Sequence, residues 1–157
     1  VHKIESGQPD ELHALLGPGS HGTTYGGSPL GSAVVNAVLD AIEEEDLCNN
    51  ARERGAQAIA EIHAFQSEFV QSVRGCGLLI GIELKQDAFM PLLKGDAPSA
   101  TPSVYLANRL IDHGLLVPPA GPNVIRWLPP LTVTEAEIHE GAEKLRGALE
   151  SLRSQSL

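Results

Sequence analysis

Apolar and polar positions along this 157-residue chain repeat with helical and strand periods in a definite order. From Pro29 to Glu45, Val34, Val35, Val38, Leu39 and Ile42 make a helix that is apolar on most sides, which predicts a well-buried element. A second helix is predicted from Asn49 to Gln71. Gly55, Ile59, Ile62, Phe65 and Phe69 fall near helical spacing there, with Arg52, Arg54, Glu61 and Glu68 mostly toward water. Leu78 to Leu84 is a short apolar run bounded by glycine and charge and reads as a strand. The glycines of Arg74-Gly75-Cys76-Gly77 just before it imply a close approach by another element. Between Lys85 and Pro102 the composition shifts to Gly, Pro, Ser, Asp and Lys, with Phe89, Met90, Leu92 and Leu93 as apolar anchors, so a surface loop is expected.

Ser103 to His113 reads as a helix with Val104, Leu106, Leu110 and Ile111 inward and Gly114 as a left-handed cap. Leu115-Leu116-Val117 follows as a strand stopped by Pro118 and Pro119. Val124 to Leu128 follows as another, stopped by Pro129 and Pro130, and the Gly121-Pro122-Asn123 turn would join the two as a hairpin. The last helix opens with the capping box Thr134-Glu135-Ala136-Glu137 and carries Ile138, Ala142, Leu145, Leu149 and Leu152 in one stripe. Helices covering one side of a small antiparallel or mixed sheet is the economical architecture for this order of elements.

With 42% hydrophobic and 20% charged residues the chain is long enough for one core and too short to expect two. A formal net charge of -9, with no block of arginines or lysines, argues against a nucleic-acid or membrane surface. The acidic run Glu43 to Asp46 reads as a solvated helix end. Cys48 and Cys76 have no metal-ligand or redox spacing and suit a reducing cytosol as ordinary small residues. No stretch is apolar enough for a membrane span or a signal peptide, so a cytoplasmic location is expected. The chain starts at Val1 without an initiator methionine, and a fragment or processed product is therefore expected.

The densest cluster of candidate chemistry is Ser20-His21-Gly22-Thr23-Thr24-Tyr25-Gly26-Gly27-Ser28-Pro29-Leu30. Glycines let a backbone approach an anion, threonine hydroxyls donate to it, and Ser28 with Pro29 suits an N-cap and first helical position. An ordinary loop and cap has the same composition. Arg126 shares a strand face with Val124 and Leu128, where a guanidinium needs a partner once buried. It is either an edge arginine reaching water or a glutamate, or a bidentate carboxylate ligand. His21 has no recognisable nucleophile or orienting group around it. His13, His63, His113 and His139 lack metal-ligand spacing, and His2 is terminal. Glu83, at the end of the apolar strand, reads as a candidate acid or base or, more commonly for such a position, as a strand-end carboxylate pointing to solvent. Lys3, Lys85, Lys94 and Lys144 all lie in polar settings that would not depress an amine for Schiff-base chemistry.

Four motifs in order carry a resemblance: the Gly-Thr-Thr turn from His21 to Leu30; Val73-Arg74-Gly75 with Gly77 to Leu84; Gly114-Leu115-Leu116; and Val124-Ile125-Arg126 with Leu128-Pro129-Pro130-Leu131. Together they resemble the C-terminal part of the class III pyridoxal-phosphate aminotransferases, across nearly the whole chain. The resemblance implies a fold-type I α/β enzyme. Residues 1–46 would end the large cofactor-binding domain and residues 47–157 would form an α+β small domain. It implies pyridoxal 5′-phosphate as cofactor and a homodimer with a shared active site. Thr24 would donate to the cofactor phosphate of the neighbouring subunit, Thr23 would touch the amino-acid substrate, and Arg126 would bind a substrate carboxylate. Arg74, Gly75 and Gly77 would shape the small domain.

The sequence also departs from the family. Its Schiff-base lysine lies upstream of the Gly-Thr-Thr turn in a Gly-rich context that Lys3 lacks, so no catalytic residue is assigned in this chain. Ser28 stands where asparagine is usual. The implied reaction moves an amino group between N-acetylornithine and 2-oxoglutarate, a step of arginine biosynthesis, and the fragment alone would be inactive. Ornithine, succinylornithine, succinyl-diaminopimelate and 4-aminobutyrate are alternative donors, because the pocket that separates them lies largely outside these motifs. A different class of reading is a non-catalytic binding or dimer-assembly module with the small-domain fold.

Overall fold

The computed structural model describes residues 22–96 and 100–154. Two compact units divide the chain, Val1–Ala41 and Ile42–Leu157. Lys3, His2, His13, Ser20 and His21 lie outside the described residues.

In the first unit the described chain opens with a turn and enters helix α1, Pro29–Glu44, which runs on across the boundary between the units. The helix forms where its apolar spacing predicts. Its burial does not follow: no residue of α1 is buried, and Val34, Val35, Val38 and Leu39 are 53 to 57% exposed. Apolarity marks a helix as able to bury a face, but burial needs a second surface, and α1 has none among the described residues.

The second unit contains α2 (Leu47–Ala64), β1 (Val70–Cys76), β2 (Leu79–Leu84), α3 (Gln86–Asp96), α4 (Pro102–Asp112), β3 (Val124–Trp127) and α5 (Glu135–Arg153). The strands form one antiparallel sheet in the order β1-β2-β3. Its inner face carries Val73, Ile80, Ile82, Ile125 and Trp127, all buried against a core that includes Ile62, Phe69, Phe89, Leu106, Leu110, Ile138, Leu145 and Leu152. The expected small sheet with helices against one face is therefore present.

Several expectations are corrected. The second helix ends at Ala64 rather than Gln71, because Gln66 takes a left-handed φ of 46° and the chain turns into β1. Phe69, assigned to that helix, instead starts the strand side of the core, with its ring edge-on to Phe89 at 5.3 Å. The expected loop from Lys85 contains α3. Pro91 within it removes a helical hydrogen bond, yet Phe89, Leu92 and Leu93 recur at helical spacing and are all buried. In α4 the inward residues are Tyr105, Leu106 and Leu110, whereas Val104 and Ile111 are 39% and 57% exposed, because the Tyr105 ring packs edge-on to Phe89.

Leu115-Leu116-Val117 forms no strand. The chain just after it, Pro118 to Ala120, meets β3 through one isolated bridge, Pro119 to Ile125, with Ala120 N–H donating to the Val124 carbonyl at 2.7 Å and Arg126 N–H to the Pro118 carbonyl at 2.9 Å. Two adjacent prolines lack the N–H groups that a continuous ladder requires. The hairpin of the fold is β1–β2, turned at Gly77 with φ 55°. Gly114 has the left-handed φ of 72° expected of a helix cap. The α5 capping box is complete: Thr134 Oγ1 accepts from Glu137 N–H at 3.3 Å, and the Glu137 carboxylate accepts from Thr134 N–H at 2.8 Å.

Candidate functional site

In the first unit, Tyr25 to Ser28 form a β-turn closed by Ser28 N–H donating to the Tyr25 carbonyl at 3.2 Å. Gly27, at its third position, has φ 75°, the left-handed value a type II turn requires. Ser28 Oγ then accepts from Gly31 N–H at 3.2 Å and caps α1. A Cβ at Gly26 would stand 2.7 Å from Thr23 Oγ1, so the glycine is what lets the Thr23 hydroxyl lie over the turn. Thr23 and Thr24 are both exposed, and their hydroxyls have no hydrogen-bond partner among the described residues. The turn thus presents donors beside the start of a helix, where an anion is favoured.

In the second unit, Arg126 lies on β3 between the buried Ile125 and Trp127. The alternation is as read from the sequence, but the face it shares with Val124 and Leu128 is the open face of the sheet, with Leu128 57% exposed. The guanidinium therefore faces solvent, as the edge-arginine reading has it. It makes no ion pair or side-chain hydrogen bond among the described residues. On β1 of the same face, Arg74 Nη1 donates to Glu83 Oε2 at 2.7 Å, and Ser72 Oγ donates to that oxygen at 2.7 Å. The Ser72 hydroxyl first, and the Arg74 guanidinium second, hold the Glu83 carboxyl below its ordinary range.

This cluster was missed in the sequence, where Glu83 read as a solvent-facing strand end. Its signal is the period-two pair Ser72 and Arg74, which becomes legible only when Val70–Cys76 is recognised as a strand. Cys48 and Cys76 are exposed free thiols. Among the described residues no group of three His, Cys, Asp or Glu could hold a metal, and no helix is long and apolar enough to cross a membrane.

A cleft of about 730 Å³ opens between the end of α2 and α5, away from Arg126 and lined by Glu61, Phe65, His139, Glu143, Arg146 and Arg153 among others. Most of its ionisable groups are partnered: His139 Nδ1 with Glu61 at 3.0 Å, Arg153 with Glu68 at 3.4 Å, and Arg146 with Glu143, while Glu150 makes no ion pair among the described residues. A site whose charges largely satisfy one another offers an ionic ligand little, so the open sheet face is chemically the stronger candidate.

Each unit thus offers groups whose chemistry suits an anion: the hydroxyl-bearing helix start in the first, and in the second a guanidinium that makes no ion pair among the described residues. The chain belongs to the class III aminotransferases, a family that matches residues 4–149. An acetylornithine aminotransferase of Bacillus subtilis is 44% identical over 140 residues, covering 88% of this chain and 32% of that protein. Among solved structures, an acetylornithine aminotransferase of Elizabethkingia anophelis is 31% identical with a TM-score of 0.71, over 88% of this chain and 34% of its own. The ornithine aminotransferase of Toxoplasma gondii is 26% identical with a TM-score of 0.74, over 94% of this chain and 33% of its own, and is described with PLP in partial occupancy at its active site. The chain spans about a third of the length of the relatives it matches.

Proposed function

We propose that this chain works as the C-terminal third of a pyridoxal 5′-phosphate-dependent aminotransferase that moves an amino group between N-acetylornithine and 2-oxoglutarate in arginine biosynthesis. The Arg126 guanidinium on the open sheet face, which makes no ion pair or side-chain hydrogen bond among the described residues, carries this reading. Residues 1–46 would close the large cofactor-binding domain and residues 47–157 would form the small domain. The apolar residues that α1 leaves exposed are suited to burial by the remainder of such a protein. A cytoplasmic homodimer with shared active sites is part of the proposal.

The turn fits the phosphate of the cofactor on this chain's own terms, since the Thr24 hydroxyl is exposed and without a partner among the described residues. Thr24 would donate to the phosphate of the neighbouring subunit's cofactor, and Thr23 would face the amino-acid substrate. When bound, pyridoxal phosphate supplies the electron sink that makes amino-group transfer feasible. Arg126 would take a substrate carboxylate in its planar fork and so fix the substrate's orientation. No residue of this chain is assigned the proton transfers, which need a lysine in a Gly-rich turn supplied from elsewhere.

The coding region upstream of Val1 tests the first point. An in-frame extension with such a lysine supports the proposal, whereas a stop codon there refutes it in favour of a non-catalytic assembly module. In the complete enzyme, Arg126→Ala is expected to raise KM for the acid substrates and to lower kcat/KM by about 1–3 kcal/mol, the loss of a charged hydrogen bond. Unchanged kinetics would remove Arg126 from the site.

A further inference from the structure

The open face of the sheet carries two cations and one carboxylate in a fixed register. Arg74 on β1, Gly81 on β2 and Arg126 on β3 are directly opposite one another. The two arginines therefore stand in one row about 10 Å apart, two strand spacings, with Gly81 between them and Val124 Cγ1 leaning to 3.5 Å from where a Gly81 Cβ would stand. Glu83 is the next residue of β2 on this face, opposite Ser72 on one side and Val124 on the other. It thus holds the diagonal position to both arginines, about 7–8 Å away, within reach of long side chains.

One carboxylate lies diagonal to two arginines, and the structure shows which one it takes. Glu83 turns to β1, where Arg74 and Ser72 each donate to its Oε2 at 2.7 Å and Arg74 Nη1 also donates to Ser72 Oγ at 3.2 Å. The asymmetry has a simple cause: β1 offers two donors, whereas the β3 residue opposite Glu83 is a valine with none. We propose that Ser72 and Arg74 are positioning residues for Arg126, holding the Glu83 carboxylate on β1 so that it does not occupy the guanidinium that a carboxylate ligand needs. Without them, Glu83 becomes an internal competitor that the ligand has to displace. This role rests on the reading of Arg126 as the carboxylate-binding group.

In the complete enzyme, Arg74→Ala is expected to raise KM for the acid substrates about two- to fivefold with kcat little changed, the range of an exposed cross-strand ion pair. Arg74→Ala combined with Glu83→Gln is expected to bring KM back toward the parent value, because the competitor is gone. A merely structural Arg74 would leave the double variant as impaired as the single one. An independent readout is the Nε–Hε NMR signal of Arg126 in the 157-residue chain. It is expected to shift in Arg74→Ala and to return in the double variant. If Arg126→Ala itself leaves KM unaltered, the carboxylate reading falls. If Arg126→Ala raises KM but Arg74→Ala does not, or the second substitution fails to restore it, the positioning role alone is overturned.

Discussion

Replacing Gly55 by alanine should destabilise the protein even though alanine is the better helix former. Gly55 lies inside α2, where a Cβ would stand 2.1 Å from the Gly77 carbonyl oxygen and 2.5 Å from its carbonyl carbon. Carbon and oxygen settle at about 3.3 Å or more, so helix and turn would have to separate by about 1 Å. The turn gives poorly, since Gly77 is held at φ 55° and a Cβ at Gly75 would itself stand 2.4 Å from the Leu79 carbonyl oxygen. The helix must therefore move, loosening Ala58 and Ile62, which are 0% and 2% exposed. Overpacking a core costs about 1–3 kcal/mol, and a clash of backbone with backbone belongs at the upper end. Alanine returns about 1 kcal/mol of helix propensity, which leaves a net loss of about 2 kcal/mol. At about 4 °C per kcal/mol for a chain of this size, Tm should fall by about 8 °C, measured by circular dichroism. Ala60→Gly on the exposed side of the same helix calibrates the propensity term, with an expected loss of about 1 kcal/mol. A Gly55→Ala protein that melts at or above the parent temperature would refute the close approach.

Gly141→Ala places a Cβ 2.8 Å from the Trp127 ring and should cost about 1–3 kcal/mol in urea unfolding, with a change in the fluorescence of the chain's single tryptophan. The capping box predicts an acid-sensitive stability. The Thr134 backbone N–H, and then its hydroxyl, hold the Glu137 carboxyl below the ordinary 4.5. The unfolded chain therefore takes up this proton first, and the contribution present above that value is lost as pH falls below it. Glu137→Ala should flatten the stability profile below pH 4.5, read from urea midpoints, and an unchanged slope would contradict the box.

Elements whose signal is local were legible in the sequence. Helix α5 is specified by its own capping box and by Ile138, Ala142, Leu145, Leu149 and Leu152 on one stripe, all buried. The Gly-Thr-Thr turn and the Ser28 cap likewise need only neighbouring residues. Helix α3 was hidden because Pro91 and a loop-like composition outweighed Phe89, Leu92 and Leu93, whose burial comes from packing rather than propensity.

The chain's residue types and periods determined that a small antiparallel or mixed sheet lies against helices, and that Arg126 alternates with apolar neighbours. They did not determine which strand face meets water, because alternation separates two faces without saying which one a partner covers. Tertiary structure decided that, and with it the row of Arg74, Gly81 and Arg126 and the side on which Glu83 finds its donors. Register couples residues far apart in sequence through the backbone ladder, so the charge state of the candidate site belongs to the assembled sheet rather than to any one strand.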